Sequence, residues 1–273
     1  MSTWSSRVLL ALVAAILVLL SRQARSQWDS YEKMTADSLK AVLAASSNGR
    51  AELTGKNLTN VDLRQVDFRG ANLSASVFNG ARLGHAKLDR TNLTVSFLEH
   101  ADLSEASLQG ATLFSVQMAG ATLRHANLSG ARLIGNLRHA DLSAADLTHV
   151  NAAADMRNQP MGLMNTVMAD AKAIGADFSG SDFSRSDLSF ADLSGARMHQ
   201  TRLVRADLSG ATFTGADLTG ANLQDAQIID TDFSNAILTD ADFTGATLRG
   251  VKGLDSATTN GARGLHSPDS ENK

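Results

Sequence analysis

The sequence predicts an all-β solenoid, a chain wound into stacked coils of very short strands. Three observations carry this reading. From Leu53 to Leu133 every fifth residue is large and apolar, seventeen positions held by fourteen leucines, Phe68, Phe78 and Met118. A second run at the same spacing spans Leu163 to Leu248, eighteen positions broken only by Ala173. Two residues before the centres sits a small residue, as at Ala71, Ala101, Ala121, Ala206 and Ala221.

A period of five excludes the ordinary alternatives. On an α-helix, leucines five apart would spiral around every face, and a long simple strand needs period two. Leucine-rich repeats need 20 to 29 residues per unit. Within each unit, small and large apolar residues flank one polar residue, which reads as a short strand with two side chains inward and one outward. The remaining pair, often Ser or Thr followed by Gly, supplies turn chemistry.

Units such as Ala71-Asn72-Leu73-Ser74, Ala101-Asp102-Leu103-Ser104 and Ala216-Asp217-Leu218-Thr219-Gly220 resemble the pentapeptide-repeat family, whose consensus is A-[D/N]-L-x-x. The resemblance runs from Ala51 to Val251. It implies a right-handed quadrilateral β-helix with four units per square coil, the centre and the small residue facing inward. About nine coils rising ~4.8 Å each would make a rod roughly 45 Å long. Family members often dimerise through the C-terminal coil, so the resemblance also implies a homodimer.

The ends read differently. Val8 to Leu20 form an unbroken apolar stretch that suits the core of a signal peptide and is short for a membrane span. Ala24 and Ser26 are placed as the small residues of a cleavage site before Gln27, whereas Arg22 and Arg25 resemble the flank of an uncleaved anchor. Export is the expectation, to the periplasm or beyond, with inner-membrane anchoring through residues 8–20 as the alternative. From Trp28 to Asn48 the pattern is helical. Asp29 and Glu32 form a capping-box pair, Leu39, Val42 and Leu43 share a stripe, and Asn48-Gly49 is a stop signal.

After Leu133 the register slips by one, to Leu137, Leu142 and Leu147, then dissolves from Val150 to Gly162 before the first phase resumes. The chain thus divides into a signal peptide or signal-anchor (1–26), an N-terminal capping helix (27–49) and a repeat wall (50–135). A register shift and interruption (136–162), a second wall (163–251) and a polar tail (252–273) follow.

Composition limits the chemistry. There is no cysteine, which excludes disulfides, thiolate catalysis and Cys-ligated metals. Aromatics are only 5%, so the core must be Leu, Ala and a few Phe. If a coil is twenty residues, positions twenty apart stack. The columns Asp62–Arg82–Asp102, Asp177–Arg197–Asp217 and Asp182–Arg202 then alternate in charge and read as register-fixing pairs. His85, Glu105 and His125 stack likewise and are the best candidates for metal ligands. Three exposed residues sharing a corner is the preferred reading, so no metal and no cofactor are expected. The Asn-Leu-Ser/Thr triplets at Asn57, Asn72, Asn92 and Asn127 match a glycosylation acceptor only because the repeat contains them. No phosphate-cradling loop or convergent triad is present, and no enzyme is expected.

Charge supplies the last hint. Residues 163–250 carry six Lys/Arg against twelve Asp/Glu, and between Ala206 and Leu248 there are seven aspartates and no base. Asp207, Asp217, Asp225, Asp230, Asp232, Asp240 and Asp242 are therefore the candidate interaction face. The expected function is an exported non-enzymatic scaffold that presents flat faces to an unidentified protein partner, with no nucleic acid bound. The alternative is a DNA-mimicking, topoisomerase-binding protein that uses the acidic half, as the resemblance to the family allows.

Overall fold

The computed structural model describes residues 31–46, 51–154 and 165–265. The wall of the solenoid is one repeated local device. Most apolar centres accept a turn hydrogen bond at the carbonyl from the N–H three residues on, as from Ala86 to Leu83 (2.9 Å). The residue two places after the centre takes positive φ, as in a type II turn; His85, Glu105 and Asp225 lie at 56°, 58° and 56°. Glycine suits that corner, which explains its frequency there.

Between corners the chain is extended for about three residues, too short for a long strand but enough for parallel pairing with the coils on either side. The centre N–H donates to the next coil and the outward residue N–H to the previous one. Leu83 bonds the Asp102 carbonyl (2.6 Å) and Asp102 the Ala81 carbonyl (2.9 Å). The pairings build four ladders. Face 1 runs Glu52, Asn72, Asn92, Thr112, Arg132, Asn151, Asp182, Arg202, Asn222, Asp242, Arg263. Faces 2, 3 and 4 begin at Asn57, Asp62 and Asp67 and climb in the same way. Ten steps at ~4.8 Å give a height of roughly 50 Å.

The core is the stacked centres and small residues, nearly all buried among the described residues from Leu53 to Phe243, with Val61 only partly so. Phenylalanines pack on one another inside it, with Phe213 and Phe233 stacked at 5.1 Å between ring centroids and Phe178 and Phe183 edge-on at 5.3 Å. Where Ser or Thr takes the small position, its hydroxyl usually donates to a centre carbonyl, in the same coil for Thr91 and Ser181 and in the preceding coil for others. Ser76 reaches Leu53, Thr201 reaches Phe178 and Thr231 reaches Leu208. Ser186, at the same inward position, is the exception: its buried hydroxyl has no hydrogen-bond partner.

At the N-terminal end β1 (Glu32–Lys33) pairs in parallel with β2 (Lys56–Asn57) and α1 (Ala36–Ala45) follows. Thr35 caps α1, and its side chain and that of Ser38 satisfy each other's backbone N–H. This corrects the expected Asp29–Glu32 capping box: Glu32 lies in a strand, with its carboxylate paired to Lys56. Leu39 is fully buried and Leu43 partly so, but Val42 is 38% exposed and leaves the expected stripe. Asp29, Asn48 and Gly49 lie outside the described residues.

The interruption is largely wall. Leu137, Leu142, Leu147 and Ala152 are fully buried, and Asp141 and Asp146 pair with Lys172 and Asp177. The one-residue slip is absorbed where β3 (Thr112–Gln117) meets β4 (Arg132–Asn136). Phe114 pairs with Ile134 and Val116 with Gly135, leaving Ser115 as a bulge. A Cβ at Gly135 would collide with the Val116 carbonyl oxygen, so the bulge needs glycine opposite it. The next coil pairs Asn136 with Val167 and Asn151 with Asp182, offsets of thirty-one, which places the extra residues between Ala152 and Thr166. The rest of that segment, 155–164, lies outside the described residues.

The wall also outlasts its pattern at the other end. β5 (Gln227–Ile229) pairs with β6 (Thr247–Arg249), and Asp232, Ile237 and Asp242 pair with Lys252, Thr258 and Arg263. Residues 252–265 are thus a further coil, not a tail. Gly253 and Gly264 stand where centres are expected and lie against the backbone of Ser234 and Phe243, which hides the coil from a count of large apolar residues. The ladders therefore exceed the expected nine coils.

Candidate interaction surface

Outward side chains of the wall are mostly committed to one another. The residue before each centre folds its carboxylate or amide onto its own turn: Asp102 Oδ1 accepts from the Ser104 N–H (3.0 Å) and hydroxyl (2.6 Å). Asp141, Asp187, Asp217 and Asp242 repeat the arrangement with Ser143, Ser189, Thr219 and Thr244. This is the Asx turn that makes Asp-Leu-Ser and Asn-Leu-Thr recur. Asn72, Asn92 and Asn127 use their amides in the same way, and Asn92 also donates to Asn72 in the coil below.

Ion pairs then tie coil to coil. Arg82 reaches Asp62 (3.0 Å), Arg197 reaches Asp177 (2.9 Å) and Arg202 reaches Asp182 (3.3 Å), each towards the N-terminal neighbour. Asp217, expected to pair with Arg197, is held by His199 Nε2 at 2.7 Å. Sequence columns missed the pairs within one unit, Arg64–Asp62 (2.7 Å) and Arg69–Asp67 (2.6 Å). The Arg64 guanidinium holds the Asp62 carboxyl far below the usual carboxylate range. At Asp217 partial burial pushes the pKa up, but the Thr219 hydroxyl and N–H and His199 outweigh it, so the net shift is down. Such groups stay ionised and serve as rivets.

The metal candidates are only partly assembled. His85 Nδ1 stands 3.4 Å from Glu105 Oε2, with all three residues of the column at positive-φ corners. Among the described residues no three His, Asp or Glu side chains converge on a point that could hold an ion. A cleft of about 790 Å³ lies between α1 and the first coil, lined by Lys40, Leu43, Arg64, Val66, Phe68 and Arg69.

The seven aspartates proposed as one face are spread around the perimeter. Asp242, Asp207, Asp232 and Asp217 stand on faces 1, 2, 3 and 4 respectively. Asp225, Asp230 and Asp240 occupy three different corners at positive φ. A run of like charges along the chain becomes a ring, because a quarter of each coil separates successive units. What the sequence reading missed is Phe190, an aromatic ring 65% exposed at a corner where most coils place Gly or a polar residue. Its signal was an apolar residue two places after a centre.

The fold and surface place the chain in a class of regular, four-faced repeat proteins. The family model described as pentapeptide repeats matches residues 57–94, 98–130, 117–153, 163–200, 191–226, 201–240 and 216–252. The chain belongs to the pentapeptide-repeat family. Among solved structures it is similar to HetL, a pentapeptide repeat protein involved in heterocyst differentiation regulation from the cyanobacterium Nostoc sp. strain PCC 7120. The identity is 30% over 84% of this chain and 94% of that one, with a TM-score of 0.36. It is also similar to Rfr23 from the cyanobacterium Cyanothece 51142 (24% identity, 45% and 90% covered, TM-score 0.41). A third is the full-length plasmid-mediated fluoroquinolone resistance protein QnrB1 (16% identity, 78% and 90% covered, TM-score 0.34). No curated protein matches the chain significantly.

Proposed function

We propose that the protein is an exported, non-enzymatic scaffold whose flat solenoid faces bind a protein partner. The observation that carries this is the commitment of the polar side chains to the wall itself. Carboxylates cap turns or bridge coils, hydroxyls bond core carbonyls, and the histidines that pair do so with carboxylates in another coil. A site for catalysis needs convergent groups left over for a substrate, and the regular wall spends them on stability. What the wall offers instead is extended, rigid, patterned surface, the feature repeat proteins use for recognition. The winding is right-handed, as parallel crossovers are, and α1 with β1 covers the first coil. The apolar stretch 8–20 supports delivery to the envelope. By resemblance to the family, the last coil, with Leu248, Val251 and Leu254 only partly buried, supports a homodimer.

The DNA-mimic alternative draws on the acidic composition of 163–250. Seven aspartates on four faces and three corners give it charge without a continuous acidic face. The two readings separate in a gyrase assay at low salt. The scaffold reading predicts that the purified chain neither inhibits nor protects the enzyme. Protection that disappears when Asp207, Asp217, Asp225, Asp230, Asp232, Asp240 and Asp242 become Asn would establish the mimic in its place.

A further inference from the structure

We propose that the corner shared by faces 2 and 3 in the C-terminal half docks an arginine-bearing segment of a partner protein, with Phe190 stacking on the guanidinium. Phe190 has φ 57° and is 65% exposed. A bulky side chain in that conformation is uncommon, and a ring in water gains nothing from burial. The next residue up the same corner is Gly210, where a Cβ would come within 2.5 Å of Phe190 Cδ1. The ring is therefore seated on bare backbone, one face fixed and the other open.

The surroundings specify the charge of the occupant. Asp170 sits one coil below Phe190 at the same corner, and Asp230 two coils above. Asp207 stands on face 2 one coil up, and Asp192 on face 3 of the same coil as Phe190. Asp170 lies 3.9 Å from His139, whereas Asp192, Asp207 and Asp230 have no basic partner within ion-pair distance among the described residues. Lys172 and Arg249 stand towards the lower and upper ends of the patch. An open aromatic face among carboxylates repels phosphate and attracts cations. Arginine fits better than lysine because its planar, weakly hydrated fork stacks on the ring while bonding carboxylates at its edge. This surface rests on the scaffold reading. Its test is nonetheless separate, because peptide affinity does not depend on where the chain resides.

The test is a low-salt fluorescence-anisotropy titration of the full chain with a labelled arginine-rich peptide and a lysine peptide of equal length. The arginine peptide should bind more tightly. Phe190→Ala should weaken it roughly three- to fivefold, the worth of one exposed cation–π contact, and Phe190→Trp should restore it. Asp207→Asn with Asp230→Asn should weaken it further, while Asp146→Asn with Asp177→Asn, on face 4, should not. The proposal fails if Phe190→Ala leaves affinity unchanged, if the face 4 pair matters equally, or if lysine binds as well. It fails also if light scattering shows that Phe190 instead mediates self-association that the peptide does not displace.

Discussion

At the scale of single residues, the corner conformation decides which side chains can stand where. Gly130 and Gly135 illustrate two separate reasons for glycine. Gly130 has φ 66° and open space around it, so Ala there meets only the backbone penalty, about 1 kcal/mol. Gly135 faces the Val116 carbonyl oxygen across the bulge, and a Cβ must displace backbone. In urea unfolding, Gly135→Ala should therefore lower the unfolding free energy well beyond Gly130→Ala, by roughly 2–3 kcal/mol more. Equal effects would mean that the bulge is pliable. The same corners explain a vertical grammar: His100 leans over Gly120, His149 over Gly180 and Asp240 over Gly261, a large side chain below a glycine one coil up. That pairing is written in the sequence at the coil spacing, but it is visible only once the coil length is known.

At the scale of elements, legibility followed the size of the inward side chain. Leucine every fifth residue announced the wall from Leu53 to Leu133, and the Asn-Leu-Ser units announced its turns. The last coil escaped because Gly253 and Gly264 replace large centres with close backbone contact. The slip after Leu133 was plain in the sequence. Its compensation was not, because the extra residue, Ser115, lies one coil earlier in the paired strand. The helix start was missed for a chemical reason: Thr35 is answered by Ser38, not by the Glu or Gln of the usual capping box. Since 136–152 is wall, Leu142→Ala should destabilise by about 2–5 kcal/mol, as a buried core leucine does. Val42→Ala on the exposed side of α1 should change stability by less than about 0.5 kcal/mol. Similar small losses for both in thermal melts would show that 136–152 is a loop after all.

At the scale of the whole molecule, the surface was far less legible than the core. Composition pointed to an acidic half, but winding distributes successive units over four faces, so a charge cluster in sequence becomes a belt in space. Asp207 and Asp217 are neighbours along the chain and occupy faces 2 and 4. Conversely, Asp170, Phe190 and Asp230 are far apart in sequence and share one corner. Partner recognition on a solenoid is therefore a property of columns, and columns need the register that only the paired coils supply. The central claim is that this committed, catalytically unpromising wall is delivered to the cell envelope to bind protein. Fractionation of the native host with intact-mass measurement tests it most directly. The account predicts a periplasmic species beginning near Gln27, or a full-length species held in the inner membrane. A full-length soluble species in the cytoplasm would contradict it and move the topoisomerase reading to the front.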